Sequence, residues 1–275
     1  MHIITLTTDF GSKDHSVGSL KGAIYNRLPD ARLVDISHEV TPFHVQEAAY
    51  IVKNAYPDFP KGSIHLVGVD AEATPDKPQL LILLDGHFFI TTNNGFLALI
   101  QENKQPELCL ALEIPNSAVG SFPERDVFVP AACHLAQGGK PELLGKPFSD
   151  LLDSRDFDPQ ILDEGKGLKG HVIYIDHYGN LVTNIQKSDF EARRQGRAFK
   201  INAKTYTLTK LFKTYSDILL EQKEGDPGKG GDLLALFNSS GHLELALYKS
   251  DMATVGGAAS LLGIHYRDPI TITFH

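Results

Sequence analysis

The sequence predicts an α/β chain in which an N-terminal parallel-sheet α/β domain is followed by a smaller, strand-rich C-terminal domain. Strand and helix patterns alternate over the first seventy residues, which builds a parallel sheet flanked by helices. From about 146 to 170 the composition shifts to Asp, Gly and Pro, as in KPFSDLLDSRDFDPQILDEGKGLKG. Beyond that stretch, short strands are separated by Gly, Asn and Ser turns, which reads as a small β-barrel or a sandwich. These observations place the domains at residues 1–150 and 170–275, with 151–169 as a linker, flexible or packed on the surface.

The first seventeen residues, MHIITLTTDFGSKDHSV, organise the rest. Ile3 to Thr7 is an apolar and β-branched run that reads as a buried strand. It ends at Thr8-Asp9-Phe10-Gly11, and VGSLKGAIYNRL follows with helical spacing. In open α/β sheets ligands sit just beyond the carboxyl ends of the strands, so Asp9, Asp14 and Ser16 are candidates for a binding loop. The plain alternative is that Asp9 or Ser16 merely caps the helix.

ARLVDIS supplies a second strand, VQEAAYIVKNAY a second helix, and KGSIHLVGVD a third strand that ends in Asp70. Asp85-Gly86 sits between apolar runs as a hairpin turn, Asn93-Asn94-Gly95 turns the chain into a short helix, and DVFVPAACHLAQG is a helix stopped by Gly138-Gly139. In the C-terminal half, HVIYIDHYGNLVTNI, RAFKIN, KTYTLT, DLLALFNSSGHLELALY and DPITITF supply strands.

With 275 residues, 42% hydrophobic and 22% charged, the chain has material for an ample core. A net charge of −8 without a Lys/Arg cluster argues against nucleic acid or an anionic membrane as partner. No apolar run approaches the ~20 residues that span a bilayer. Cys109 and Cys133 are isolated, and no signal-peptide pattern precedes the first strand, so the expectation is a reduced, cytoplasmic setting. The twelve histidines lack zinc-type spacing, so no metal is expected. Neither a GxSxG elbow nor a dinucleotide fingerprint is present, and GDPGKGG at 225–231 reads as a flexible loop rather than a phosphate loop.

What remains is a set of polar residues at strand ends: Asp9, Asp14 and Ser16; Asp70; Asp176, Tyr178 and Asn180; Asn238, Ser239 and Ser240. Singly, Asp-x-x-Gly-Asn and Asn-Ser-Ser-Gly are ordinary hairpin turns. Together they have the composition of a small-ligand cleft between domains.

LTTDFG with a following Asp14, VDISHEVTPF, the strand ending in Asp70, F-x-x-RD at 122–126, YIDHYGNLVTNI and LFNSSGHLELAL occur in that order over nearly the whole chain. In this combination the chain resembles the S-adenosyl-L-methionine hydroxide adenosyltransferases, a family that also contains fluorinases and chlorinases. The resemblance implies an α/β N-terminal domain, a C-terminal β-barrel, and a homotrimer with sites between neighbouring subunits. It implies no cofactor, with S-adenosylmethionine as the substrate. By the same resemblance Asp9 holds the ribose hydroxyls, Asp14 and Ser16 lie near the methionine end with Asp176 and Ser239, and Asn180 reads the adenine edge. Ser240 belongs to the same NSSG turn. Tyr178 and Phe43 supply flat walls for the nucleoside, core packing being the alternative for Phe43.

The implied reaction is in-line displacement of the sulfonium from the ribose C5′ carbon by water, giving adenosine and methionine. In the hydrolytic branch an Asp, an Arg and a His hold that water. Asp70 stands where the Asp belongs, Lys77 where the Arg belongs, and Pro123 where the His belongs, with Glu124 beside it as a substitute base. Lysine keeps the charge but not the planar fork. Two other readings stand beside the hydrolase: a protein that binds an adenosyl ligand with weak or lost catalysis, and a halogenase. A carboxylate at Glu124 would repel a halide.

Overall fold

Strand β1 (Ile3–Thr8) is buried on both faces, the environment that a continuous apolar and β-branched run requires. This computed structural model describes residues 3–101, 103–114, 120–153, 158–221, 231–253 and 256–275. The chain divides into two compact units, Met1–Arg155 and Asp156–His275.

In the first unit β1 is followed by helix α1 (Ser16–Arg27), strand β2 (Arg32–Ser37), helix α2 (Val45–Ala55) and strand β3 (Ile64–Gly68). Strands β4 (Gln79–Leu84) and β5 (His87–Thr92) form the hairpin expected at Asp85-Gly86, both of whose turn residues have positive φ. Helix α3 (Phe96–Gln101), strand β6 (Leu108–Leu112), helix α4 (Val129–Ala136) and strand β7 (Gly145–Pro147) complete the unit. The sheet order is β2-β1-β3-β5-β4-β6-β7. Its β2-β1-β3-β5 half is parallel, and the tight Asp85-Gly86 turn makes the remainder antiparallel. Each face carries its own core. Leu20 and Ile24 of α1 and Val129 and Ala132 of α4 pack with Ile4, Leu6, Ile64 and Leu66. Ala48 and Val52 of α2 and Phe96 of α3 pack with Val67, Leu80 and Phe89. The expected 126–138 helix begins instead with one π turn over Glu124–Phe128, and α4 follows it.

The core of this unit also holds a buried polar chain. The Thr5 hydroxyl lies 2.7 Å from His65 Nδ1, and His65 Nε2 lies 3.2 Å from His87 Nδ1. Burial, and the His87 charge beside it, push the His65 pKa down to about 3.

The second unit contains β8 (Gln160–Leu162), β9 (Gly167–Ile175), β10 (Leu181–Gln186), helix α5 (Lys187–Arg194), β11 (Phe199–Ala203), β12 (Tyr206–Leu208), β13 (Leu233–Phe237), β14 (His242–Leu247), helix α6 (Ala258–Leu262) and β15 (Pro269–Phe274). Antiparallel pairing in the order β12-β11-β15-β9-β10-β14-β13 gives one nearly closed, barrel-like sheet, so the barrel and not the sandwich forms. Leu168, Val172, Leu181, Ile185, Phe199, Leu245 and Ile272 share its single core. Within the stretch expected as linker, β8 pairs with β9 as an added edge strand, because Gln160–Leu162 meets the free side of Gly167–Lys169. Residues 154–157 of that stretch, and 225–230 of the expected flexible loop, lie outside the described residues.

Candidate functional site

In the first unit the parallel pair β1 and β3 brings two strand ends side by side, with Thr8 opposite Gly68. Asp9 follows directly, and its Oδ2 accepts the Phe43 backbone N–H at 2.8 Å. The carboxylate thus ties the β1 end to the segment between β2 and α2. Phe43 sits at φ +63°, a left-handed conformation that costs a bulky residue about 1–3 kcal/mol unless its surroundings impose it. Its side chain is 75% exposed, which excludes core packing. The helix-cap alternative fails as well, since α1 has no side-chain cap: His15 holds the N-cap position.

At the β3 end, Asp70 also has positive φ (+48°). Asn94 supports that turn by donating from Nδ2 to the carbonyls of Val69 (2.9 Å) and Asp70 (3.4 Å), while its Oδ1 accepts the Phe96 N–H. Thr92 and Gln79 donate to the next carbonyl, that of Ala71. Asp70 is therefore fixed by three side chains from β4, β5 and the turn after β5. Lys77 lies 3.4 Å from Asp70 Oδ2, and both side chains are about a third exposed or more, so the pair serves placement more than stability.

Glu124 enters from the π turn and lies across Gly68. A Cβ added at Gly68 would come within 2.5 Å of Glu124 Cγ, so only glycine admits the acid there. Glu124 is 6% exposed. Burial pushes its pKa up to about 7, with further upward contributions from the charges of Asp9 and Asp126 and an opposing one from its own backbone N–H. Asp126 is itself paired with Arg125 at 2.8 Å. Such single π turns recur at functional sites. Asp9, Asp70 and Glu124 thus gather at neighbouring strand ends. Asp14 and Ser16 do not join them through any contact: among the described residues neither side chain makes a hydrogen bond or ion pair.

In the second unit the β9–β10 turn carries Asp176, Tyr178 and Asn180. Asp176 Oδ1 accepts the N–H groups of Tyr178 (2.9 Å) and Asn180 (2.8 Å), and its Oδ2 accepts Asn180 Nδ2 (2.9 Å). The turn reading is therefore correct for these residues. One polar atom escapes it. Asn180 is 4% exposed, yet its Oδ1 has no hydrogen-bond partner, a costly state for a buried acceptor. Gly179 packs against Gly257 at the start of α6 and Met252, where a Cβ has no room, and Tyr178 is left 60% exposed. The β13–β14 turn is built likewise. Asn238 Oδ1 accepts from the Ser240 N–H, the Ser240 hydroxyl and the His242 N–H, and Ser239 is exposed.

Gly68 and Asn94 were not among the sequence-expected site residues. Asn94 offered a signal, an Asx-type residue before Gly95 and a helix, but it reads locally as a turn and not as a brace for Asp70. Among the described residues no helix is long and apolar enough to cross a membrane.

Comparison with known proteins agrees with this fold. The (R)-S-adenosyl-L-methionine hydrolase of Methanocaldococcus jannaschii is 28% identical, with 100% of this chain and 97% of that protein covered. The fluorinase of Nocardia brasiliensis is 26% identical over 91% of this chain and 92% of its own. The crystal structure of an uncharacterized conserved protein from Thermotoga maritima superimposes with a TM-score of 0.83 at 26% identity, covering 98% of this chain and all of that one. Residues 4–145 match the SAM hydroxide adenosyltransferase N-terminal domain and residues 170–271 the C-terminal domain of the same family. With both domains matched in order, the chain belongs to the SAM hydroxide adenosyltransferase family.

Proposed function

We propose that this protein hydrolyses S-adenosyl-L-methionine to adenosine and L-methionine by in-line attack of water at the ribose C5′ carbon. The observation that carries this reading is the placement of Glu124 on Gly68, beside Asp9 and two residues before Asp70. Asp70 and Lys77 orient the water, and Glu124 takes its proton as the new C–O bond forms. The electrons of the C5′–S bond leave on sulfur, which departs as the neutral thioether of methionine. A base whose pKa lies near neutrality suits that task, because it is both available and able to bind the proton. Holding the water in line opposite sulfur supplies the greater share of rate, roughly 7–11 kcal/mol for a well-oriented pair.

Asp9 accepts from the ribose hydroxyls with the lone pairs that Phe43 leaves free. Phe43 and Tyr178 offer exposed rings to the nucleoside. Asn180 Oδ1, unpartnered in the free chain, is an acceptor for the adenine amino group. Asp14, Ser16, Asp176, Ser239 and Ser240 serve the methionine end. Residues 1–150 act as the nucleoside-binding domain and 170–275 as the barrel domain. The working form is a cytoplasmic homotrimer in which neighbouring protomers share each substrate, and no cofactor, nucleic acid or membrane takes part.

The test is to incubate purified protein with S-adenosylmethionine and follow adenosine by chromatography, with and without halide. Adenosine formed without halide is the expected result. Tight adenosyl binding without turnover, or a 5′-halo product, would replace hydrolysis by one of the other readings. Sedimentation analysis checks the trimer.

A further inference from the structure

One buried acid has no part in the reaction above. Glu244, on β14, is 3% exposed and is flanked in the sheet by Val182 of β10 and Leu236 of β13. Tyr215 donates its hydroxyl to Oε1 at 2.7 Å, and Asn238 donates Nδ2 to Oε2 at 3.1 Å. With both oxygens accepting from neutral donors, the group has the bonding pattern of a carboxylate. Burial raises its pKa, and the nearby charge of Asp176 raises it further. Among the described residues no basic side chain pairs with either Glu244 or Asp176.

A buried carboxylate beside a second carboxylate is an expensive arrangement, and buried charge is ordinarily paired. The missing positive charge is one that a ligand can bring. Two further features point to that ligand. Asn238, held by Glu244, is the residue whose Oδ1 organises the Ser239–Ser240 turn. Asn180, bonded to Asp176, keeps an unpartnered buried oxygen two residues before Val182, the β10 neighbour of Glu244.

We infer that Glu244 is a positioning residue for recognition of the α-ammonium group of an amino-acid-bearing nucleoside, acting through Asp176 and through Asn238 and its serine turn. This rests on the adenosyl reading above and adds a determinant that sets which adenosyl compounds bind. Glu244 touches no reacting atom; it fixes the turn and doubles the negative charge that the ammonium group meets.

The experiment compares wild type with Glu244→Gln, which keeps the shape, removes the charge and retains one accepting oxygen, its amide N–H being able to donate to the Tyr215 hydroxyl oxygen. Calorimetry measures adenosine, which lacks the amino-acid portion, and S-adenosylhomocysteine, which carries the ammonium but no sulfonium. Steady-state kinetics measure S-adenosylmethionine. The expected result is about a tenfold loss of S-adenosylhomocysteine affinity, a similar rise in KM with kcat within twofold, and adenosine affinity unchanged (the scale of one charge-assisted contact). Tyr215→Phe, at a half-exposed position and so tolerant of change, should shift the same quantities in the same direction by a smaller factor; it decides the matter if Glu244→Gln fails to fold. Equal losses for adenosine and S-adenosylhomocysteine, or no loss for either, would overturn the inference while leaving hydrolysis standing. Wild-type protein that binds neither compound would overturn the adenosyl reading and this inference with it.

Discussion

Glu124 and Glu244 are both buried acids, one in each unit, and they are supported in opposite ways. Glu244 receives two side-chain donors, Tyr215 and Asn238. Glu124 receives none among the described residues; it rests on the bare backbone of Gly68, with its own N–H for support and the charge of Asp9 nearby. A carboxylate bound on both oxygens is fixed in place. One held by packing alone changes its protonation easily. The contrast matches the proposed roles, an acid that moves a proton in the first unit and one that marks a position in the second, and it predicts that substitutions at Glu124 act on kcat and those at Glu244 on affinity.

The sharpest way to break that division is Asp70→Asn. Turnover should fall by roughly 10³-fold, within the range for losing a positioned acid–base group, while adenosine affinity stays within twofold. Equal turnover in that variant would move the chemistry elsewhere. Next in size is Glu124→Gln, with a loss of about 10²-fold. The wild-type rate should decline as pH falls below about 7, where Glu124 gains a proton, and that limb should vanish in the variant. A limb that persists would assign the titration to another group.

Asp9→Ala tests whether the first unit also grips the nucleoside. It removes the anchor of Phe43 together with the proposed ribose acceptor, and adenosine affinity should drop about tenfold, the worth of one charged hydrogen bond. Wild-type affinity in Asp9→Ala would leave adenosine recognition to the barrel.

The smallest effect concerns stability. His65, with a folded pKa of about 3 against 6.5 unfolded, stabilises the first unit above pH 6.5 and ceases to do so as pH falls towards 3. Glu124 works the other way, because its raised pKa adds stability as pH falls from about 7 to 4.5. The two nearly offset each other down to about 4.5, below which the His65 contribution alone continues to decline. Glu124 is common to both proteins, so the denaturation midpoints of wild type and His65→Gln should converge progressively as pH falls from 6.5 to 3. A constant difference across that window would remove His65 from the acid response.

Much of this was legible in the chain. The alternating elements, the Asp85-Gly86 turn and the barrel strands follow from periodicity and turn chemistry, which are local. Asp9, Asp70 and Glu124 stood out by position and by resemblance. The mixed character of the first sheet is set by where β5 inserts, between β3 and β4, and this is a matter of non-local pairing. Gly68 was hidden because its importance comes from an acid 56 positions away, and Glu244 because an acid inside the HLELAL alternation reads as the polar side of a strand. In the barrel that side is buried too: every residue of β14 is covered.

The contact between positions 68 and 124 has a bearing on how such sequences diverge. A side chain as small as methyl at 68 would displace the acid from its present seat, so the proposed proton acceptor constrains what position 68 can become. The glycine, mute in any assay of ligand contact, is thereby part of the proposed catalytic arrangement.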